Sequence, residues 1–323
     1  MGLNFRFSMF VALLCGALPV QASAPLKKAS FRPQWVPQAQ FAGYYVAQAK
    51  GFYKEQGIDL EIRAGGPGII ALNNVAGQKD TFGTDWLLGG LTAASKGAPI
   101  VNIGQMFQTS GLMLVAFKKS GITEPKQMKD RTVGIWPGLF ALLPQLLFKK
   151  YEVQPKLVSQ KFSIEDFLKG QLDVASATSY NEYPLMLESV KQADLTTFHY
   201  RDFGLNIPED GIYAHAETCK KDPALCQGFV KASIKGWLHA FDHADEAVDL
   251  IMAEAQKAKT GTTRTHQLTM LKEVKKLMLY NISPERIGEL SKATFDFAQT
   301  SLKDSKQLNK PVSYESFHRP IAK

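Results

Sequence analysis

The sequence predicts an α/β protein of two lobes, and two observations carry that prediction. After residue 22, short apolar segments alternate twice over with amphipathic helical ones; from about Pro223 the pattern turns helical nearly to the end. Repeated strand, helix, strand order implies mostly parallel sheets with helices packed on their faces. A chain of 323 residues, 45% hydrophobic and 21% charged, is long enough for two compact cores.

In the first series "FRPQWV" and "IDLEIR" read as strands, with a helix over roughly Ala42 to Lys50 stopped by Gly51. "GIIALNNVAG" is a helix, "DTFGT" a short strand, "LLGGLTAASKG" a helix and "PIVNIGQMF" a strand. Pro33 removes a ladder donor, so the first strand is expected at an edge or to start later than "FRPQWV". The second series runs "LMLVAFKK", "TVGIW", the helices "LFALLPQLLFKKY" and "SIEDFLKGQ", the strand "LDVASAT", the helix "NEYPLMLESVKQ" and the strand "LTTFHY". No low-complexity linker separates the two, so the chain is expected to cross on extended segments near Val115 to Lys119 and Gly211 to Ala214. Residues 23–116 and 214–323 would then form one lobe and 117–213 the other, joined by a two-segment hinge.

Residues 1–22 read as an export signal: Arg6, the apolar run "FSMFVALLCGALPV" and small residues suited to cleavage after Ala22 or after Ala24. The run is short for a membrane span, which needs about 20 residues. Leu14 before Cys15 is a poor match to a lipidated cysteine, and a free exported protein is expected. That leaves Cys219 and Cys226, in "CKKDPALC", which an oxidising compartment lets pair as a local disulfide. The formal charge of +8 comes from lysines scattered over helix-like segments. No long basic run interleaves with aromatics, which argues against a nucleic-acid partner.

Enzyme signatures are missing: no phosphate-binding loop, no H-E-x-x-H and no G-x-S-x-G elbow. "GGPG" at Gly65 to Gly68 follows a strand and precedes a helix, and is either a tight turn or an amide cradle for an anionic or carbonyl group. His239 and His243 stand at i and i+4, which suits a metal, but no third ligand follows at a recognisable spacing. A solvated surface pair, with no metal and no cofactor, is the expectation.

Ligands of α/β sheets bind beyond the carboxyl ends of strands. Four such junctions are well equipped: "WVPQAQFAGYY", "GTDW", "GIWPG" and "SATSYNEY". Trp35, Tyr44, Trp86, Trp136 and Tyr180 offer flat faces there; Gln40, Asp85, Asn181 and Glu182 offer hydrogen bonds. Flat faces with a few directed polar groups suit a planar heteroaromatic ligand. Asp85 either favours an amino-bearing ligand or caps the next helix.

These segments, with "GGPG", "PIVNIGQMFQTSGLMLVAFKKSGI" and "EDGIYA", resemble the thiamine-pyrimidine-precursor and alkanesulfonate-binding branch of the substrate-binding proteins of ABC importers, over essentially the whole mature chain. The resemblance implies a type II periplasmic binding-protein fold closing on a ligand, with a membrane permease and an ATPase as partners. It favours a formyl- or hydroxymethyl-aminopyrimidine; riboflavin, a sulfonate or a synthase-like activity are the alternatives. On that reading Glu182 takes two hydrogen bonds from the aminopyrimidine edge and Asn181 orients the ring. Trp35, Tyr44, Trp86 and Trp136 sandwich it, and the amides of Gly65 and Gly66 meet a polar tail. Glu182 equally suits the helix N-terminus as a dipole-complementing carboxylate. The superfamily's thiamine pyrimidine synthases carry a cofactor-holding lysine and, four residues on, a histidine. Here those positions read Asp85 and Gly89, which argues against an enzyme.

Overall fold

The computed structural model describes residues 1–2 and 25–320; beyond its first two residues, the expected export signal lies outside the described residues. Among the described residues, ten strands form two five-stranded sheets. The first takes β1 (Lys27–Arg32), β2 (Ile58–Ile62), β3 (Phe82–Trp86), β4 (Ile100–Gln105) and β10 (Asp210–His215), in the order β2-β1-β3-β10-β4. The second takes β5 (Leu112–Phe117), β6 (Thr132–Ile135), β7 (Lys156–Ser159), β8 (Val174–Thr178) and β9 (Leu195–His199), in the order β7-β6-β8-β5-β9.

Both sheets are mixed, where the sequence pattern implied mostly parallel ones. β10 runs antiparallel to β3 and β4, and β5 runs antiparallel to β8 and β9. The remaining pairs are parallel. Each antiparallel strand is the one that has just arrived from the other sheet. The chain therefore crosses at residues 106–111 and again between β9 and β10, at 200–209. The crossings expected at Val115 to Lys119 and Gly211 to Ala214 fall instead largely on β5 and wholly within β10, and the lobe boundaries move with them. Both strands are buried along nearly their whole length, so they show no polar alternation to set them apart from a buried connection.

β1 ends at Arg32, just ahead of Pro33, and lies between β2 and β3 instead of at an edge. The proline terminates the strand, which begins earlier than the sequence pattern placed it. β7, whose four residues are all exposed, was not visible as a strand.

Helices α1 (Ala42–Ala49), α2 (Phe52–Glu55), α3 (Ala71–Ala76) and α4 (Leu87–Ser95) connect the first sheet. α5 (Leu142–Lys150), α6 (Glu165–Leu168) and α7 (Glu182–Leu187) connect the second. The tail supplies α8 (Ala216–Lys221), α9 (Pro223–Asp242), α10 (Ala244–Lys257), α11 (Arg264–Met278), α12 (Lys292–Asp304) and α13 (Tyr314–Phe317). α9, α10 and α11 return to the first lobe, where Phe229, Trp237, Ile251 and Met270 share a core with Phe31, Tyr44 and Phe82. Cys219 and Cys226 are bonded, as expected, joining α8 to α9. No helix among the described residues is long and apolar enough to cross a membrane.

Candidate functional site

A cavity of about 250 Å³ opens between the two sheets at the strand ends. Seven of the expected residues converge on it: Trp35, Gln40 and Trp86 from the first lobe, and Trp136, Tyr180, Asn181 and Glu182 from the second. All but Gln40, which comes from the 3-10 turn Ala39–Phe41 beyond the loop after β1, stand just past, or at the end of, a strand, the placement that open α/β sheets give to ligand contacts.

The walls are aromatic. Trp35 follows β1 and its ring meets Phe162 at 5.6 Å; Trp86 closes β3 and meets Phe140 edge-on at 4.8 Å. Trp136, directly after β6, stands 5.4 Å from Phe162 and 5.8 Å from Phe140. Its indole N–H donates to the carbonyl of Lys161 at 3.2 Å. Rings of opposite lobes thus touch across the mouth. Phe140 and Phe162 line the cavity although they were not among the expected residues. Phe162 follows β7, so the strand-end rule would have found it had that exposed strand been legible.

The polar groups are held from behind. Glu182 opens α7, and its Oε2 accepts from the Thr178 amide at 2.9 Å and the Thr178 hydroxyl at 2.7 Å. Asn181 donates to Oε1 at 2.8 Å, and its own Oδ1 lies 2.9 Å from Nε2 of His266 on α11. Three protein donors leave the carboxylate one unused lone pair, on Oε1. The carboxylate therefore has room for one further hydrogen bond, where two were expected of it.

Opposite it, "QWVPQAQ" places Gln34, Gln38 and Gln40 on the cavity. Gln38 donates to Gln40 at 2.6 Å. Gln34 and Gln40 both donate to the buried carboxyl of Asp210, at 2.7 and 2.9 Å. The Thr84 hydroxyl caps the other end of Gln34. Burial, reinforced by the neighbouring Glu209, holds the Asp210 carboxyl well above the usual carboxylate range, against the two glutamine donors.

Glu209 binds the two crossings together. Its Oε1 accepts from the Ser110 hydroxyl at 2.7 Å, the Gly111 amide at 2.6 Å and the Leu112 amide at 3.1 Å. Its Oε2 accepts from the hydroxyl of the cavity residue Tyr180 at 3.0 Å. Burial pushes its carboxyl up to about 7 in spite of these donors. Neither acid was picked out from the sequence; "PED" signals only a turn.

Four expected residues lie elsewhere. Tyr44 is a core residue, 1% exposed, packed on Phe31 at 4.5 Å and Trp237 at 5.7 Å. Tyr44 thus lies between β1 and α9, and Tyr45, also buried, belongs to the same core. Gly65 and Gly66 do not line the cavity. A Cβ at Gly65 would stand 2.0 Å from the Pro33 carbonyl and 2.7 Å from that of Trp35. Glycine is required there for close approach to the loop that carries Trp35, and Gly66 at φ +150 makes the turn. Asp85, on β3, is half-buried and turned toward the start of α4: its Oδ1 accepts from the Trp86 amide at 2.7 Å. A Cβ at Gly89 would meet that oxygen at 2.4 Å, so the acid and the glycine occupy one space. Burial pushes the Asp85 carboxyl up to about 7.

No lysine or arginine lines the cavity. The chain is cationic as a whole, yet this cleft presents a carboxylate among aromatic rings. A second, larger cavity of about 400 Å³ lies on the other side of α7, lined by Ser179, His199, Arg201 and Lys276 among others; none of the expected site residues is on it.

Two mixed α/β lobes linked by two crossings, with an aromatic cleft between them, make up the type II periplasmic binding-protein fold. The chain belongs to the NMT1/THI5-like family, whose profile matches residues 38–247. Among curated relatives, the riboflavin-binding protein RibY of Chloroflexus aurantiacus is 24% identical over 263 residues, covering 76% of this chain and 73% of that one. The formylaminopyrimidine-binding protein of Halalkalibacterium halodurans is 22% identical over 233 residues, covering 69% of each. A yeast 4-amino-5-hydroxymethyl-2-methylpyrimidine phosphate synthase, THI5 of Saccharomyces cerevisiae, matches only 40% of this chain and 38% of its own, at 25% identity. The periplasmic aliphatic sulphonate binding protein SsuA of Escherichia coli superposes with a TM-score of 0.71 at 12% identity, covering 90% of this chain and 91% of that one.

Proposed function

We propose that this chain, a substrate-binding protein of the ABC-import type, captures an amino-substituted pyrimidine of the thiamine-precursor class in the periplasm. Formyl- and hydroxymethyl-aminopyrimidine are the favoured ligands, delivered to a membrane permease and its ATPase. One observation carries the reading: a buried carboxylate, Glu182, with one unused lone pair, faces a small cleft of flat aromatic walls that holds no cation. An exocyclic amine donates to that oxygen, and removal of water around the pair strengthens the bond. Ring faces stack between Trp35, Trp86, Trp136 and Phe162, while the glutamines offer both donors and acceptors to ring nitrogens and substituents.

A sulfonate needs several donors and a compensating cation, and this lining offers a carboxylate instead. The volume of about 250 Å³ lies below the roughly 300–1,000 Å³ of clefts that hold drug-sized ligands, which favours a single small ring over a three-ring flavin. Binding is favoured over catalysis because Asp85 and Gly89 supply neither an amine for an imine nor a histidine.

Calorimetry of the mature protein against formylaminopyrimidine, hydroxymethylpyrimidine, riboflavin and ethanesulfonate tests the ligand. Binding of a pyrimidine alone is expected. Binding of riboflavin or the sulfonate with no pyrimidine response overturns the ligand class. Incubation with pyridoxal phosphate is expected to give no imine absorbance, and its appearance overturns the non-enzymatic reading.

A further inference from the structure

We propose that His239, His243 and Glu246 form a surface site for a zinc-class divalent ion at the corner where α9 gives way to α10. One donor atom of each residue lies within 4.8 Å of the others. Nε2 of His239 stands 3.0 Å from Oε2 of Glu246, and the two imidazole rings are 4.2 Å apart.

The helix break makes the cluster. In a continuous helix the seventh residue on would stand about 10 Å further along the axis, out of reach of an ion held by the first. Here α9 ends at Asp242, His243 leaves the helical conformation at φ −126 and ψ 58, and α10 restarts at Ala244. That turn folds Glu246 back over the last turn of α9. This is why the spacing of the two histidines showed no third ligand in the sequence.

The donor chemistry is that of zinc and its neighbours: two imidazole nitrogens and one carboxylate oxygen, each binding at about 2.0–2.2 Å. A nitrogen and an oxygen 3.0 Å apart subtend an angle of about 90° at such an ion. A small opening of exposed side chains gives the tetrahedral value. His243 and Glu246 are exposed, so water completes the shell as in three-ligand sites with an open position. The His239 ring is braced edge-on by Phe52 at 6.0 Å, which limits its rotamers before any ion arrives.

Lys50 sets the strength. Its ammonium pairs with the other carboxylate oxygen, Oε1, at 2.6 Å, so an ion on Oε2 does not displace it. A like charge that close weakens binding, and a micromolar site is expected instead of a structural zinc. Occupied, the site ties α10 to the end of α9, while Lys50 continues the link to the end of α1.

The test is zinc calorimetry and thermal melting on chelator-stripped mature protein, at up to about 100 µM zinc, a hundredfold excess over a micromolar Kd. The expected result is one equivalent bound and a melting temperature raised by several degrees. His239→Ala with His243→Ala abolishes both, and Glu246→Gln weakens binding roughly tenfold or more. Copper in place of zinc gives a resonance spectrum with two coupled nitrogens in the parent and one in His243→Ala. No zinc binding up to that concentration, or binding unchanged in the double histidine variant, overturns the proposal.

Discussion

Replacing Glu182 with glutamine isolates the charge of the cleft from its shape. Oε2 of Glu182 accepts twice from Thr178, so the side-chain oxygen of the new amide must stay on that side. Its NH₂ group then faces the Asn181 amide donor, which lies 2.8 Å from Oε1 in the parent. Rotation of the Asn181 amide resolves the conflict, presenting its oxygen to the introduced NH₂ and its own N–H groups to His266. Burial holds the His266 imidazole below its ordinary range and so neutral, and its Nδ1 makes no hydrogen bond. The ring proton can therefore move to Nδ1 and leave Nε2 to accept. The variant keeps every internal hydrogen bond and is expected to fold with stability close to that of the parent. What it loses is the one free lone pair of a carboxylate, replaced by a donor. A hydrogen bond to a charged group contributes about 1.5–3 kcal/mol, so affinity for an aminopyrimidine falls roughly 10- to 150-fold. Calorimetry with formylaminopyrimidine at neutral pH measures it, alongside a thermal melt of the free protein. Affinity within about threefold of the parent, with the melt unchanged, would refute the role of Glu182, since even the weakest such bond corresponds to roughly tenfold.

Three further outcomes rest on the same geometry. Glu209, raised from 4.5 to about 7, favours the folded state below its unfolded value and loses that contribution as pH rises toward 7, a span of roughly 3 kcal/mol. His318, pushed down to about 4, acts with the opposite sign as pH falls below the ordinary histidine range. The measurable quantity is thus the difference between parent and Glu209→Gln: urea midpoints from mildly acidic to mildly basic pH should show the parent losing ground to the variant as pH rises, and parallel profiles would exclude the titration. Gly65→Ala forces a Cβ to within 2.0 Å of the Pro33 carbonyl, so the loop bearing Trp35 shifts; a thermal melt should fall and ligand affinity with it, and a variant unchanged in both disproves the packing role. Replacing Cys219 and Cys226 by serine releases a closure spanning seven residues, lowering stability by about 2–3 kcal/mol in urea unfolding while ligand affinity holds; loss of affinity would show that the staple shapes the cleft.

Much of this was legible because local chemistry and global position agreed. Trp35, Trp86, Trp136 and the run Tyr180 to Glu182 all stand where a strand stops, and strand ends can be read from where an apolar run meets a turn. Tyr44 failed the same rule because it is no longer on the strand-end loop: Gln40 reaches Asp210 from the 3-10 turn Ala39–Phe41, whereas Tyr44 lies on α1, which packs it against Phe31 and Trp237. Gly65 and Asp85 failed differently. Both sit past or at strand ends, but each is committed to supporting backbone, the glycine under Pro33 and Trp35 and the acid over Gly89. Spacing cannot distinguish a group that supports the wall from one that forms it.

The pair Glu209 and Asp210 marks the limit of such reading and explains why the cleft sits where it does. Two adjacent acids in the core are costly unless each finds donors, and these find them in opposite directions. Glu209 reaches the outgoing crossing at Ser110, Gly111 and Leu112, and Tyr180 of the second lobe. Asp210 reaches Gln34 and Gln40 of the first. The donors come from segments as distant as 176 residues along the chain, so no local pattern announces them. One dipeptide at the return crossing thereby fixes polar groups on both walls of the cavity, and any rotation of the lobes about the crossings must move those walls relative to it.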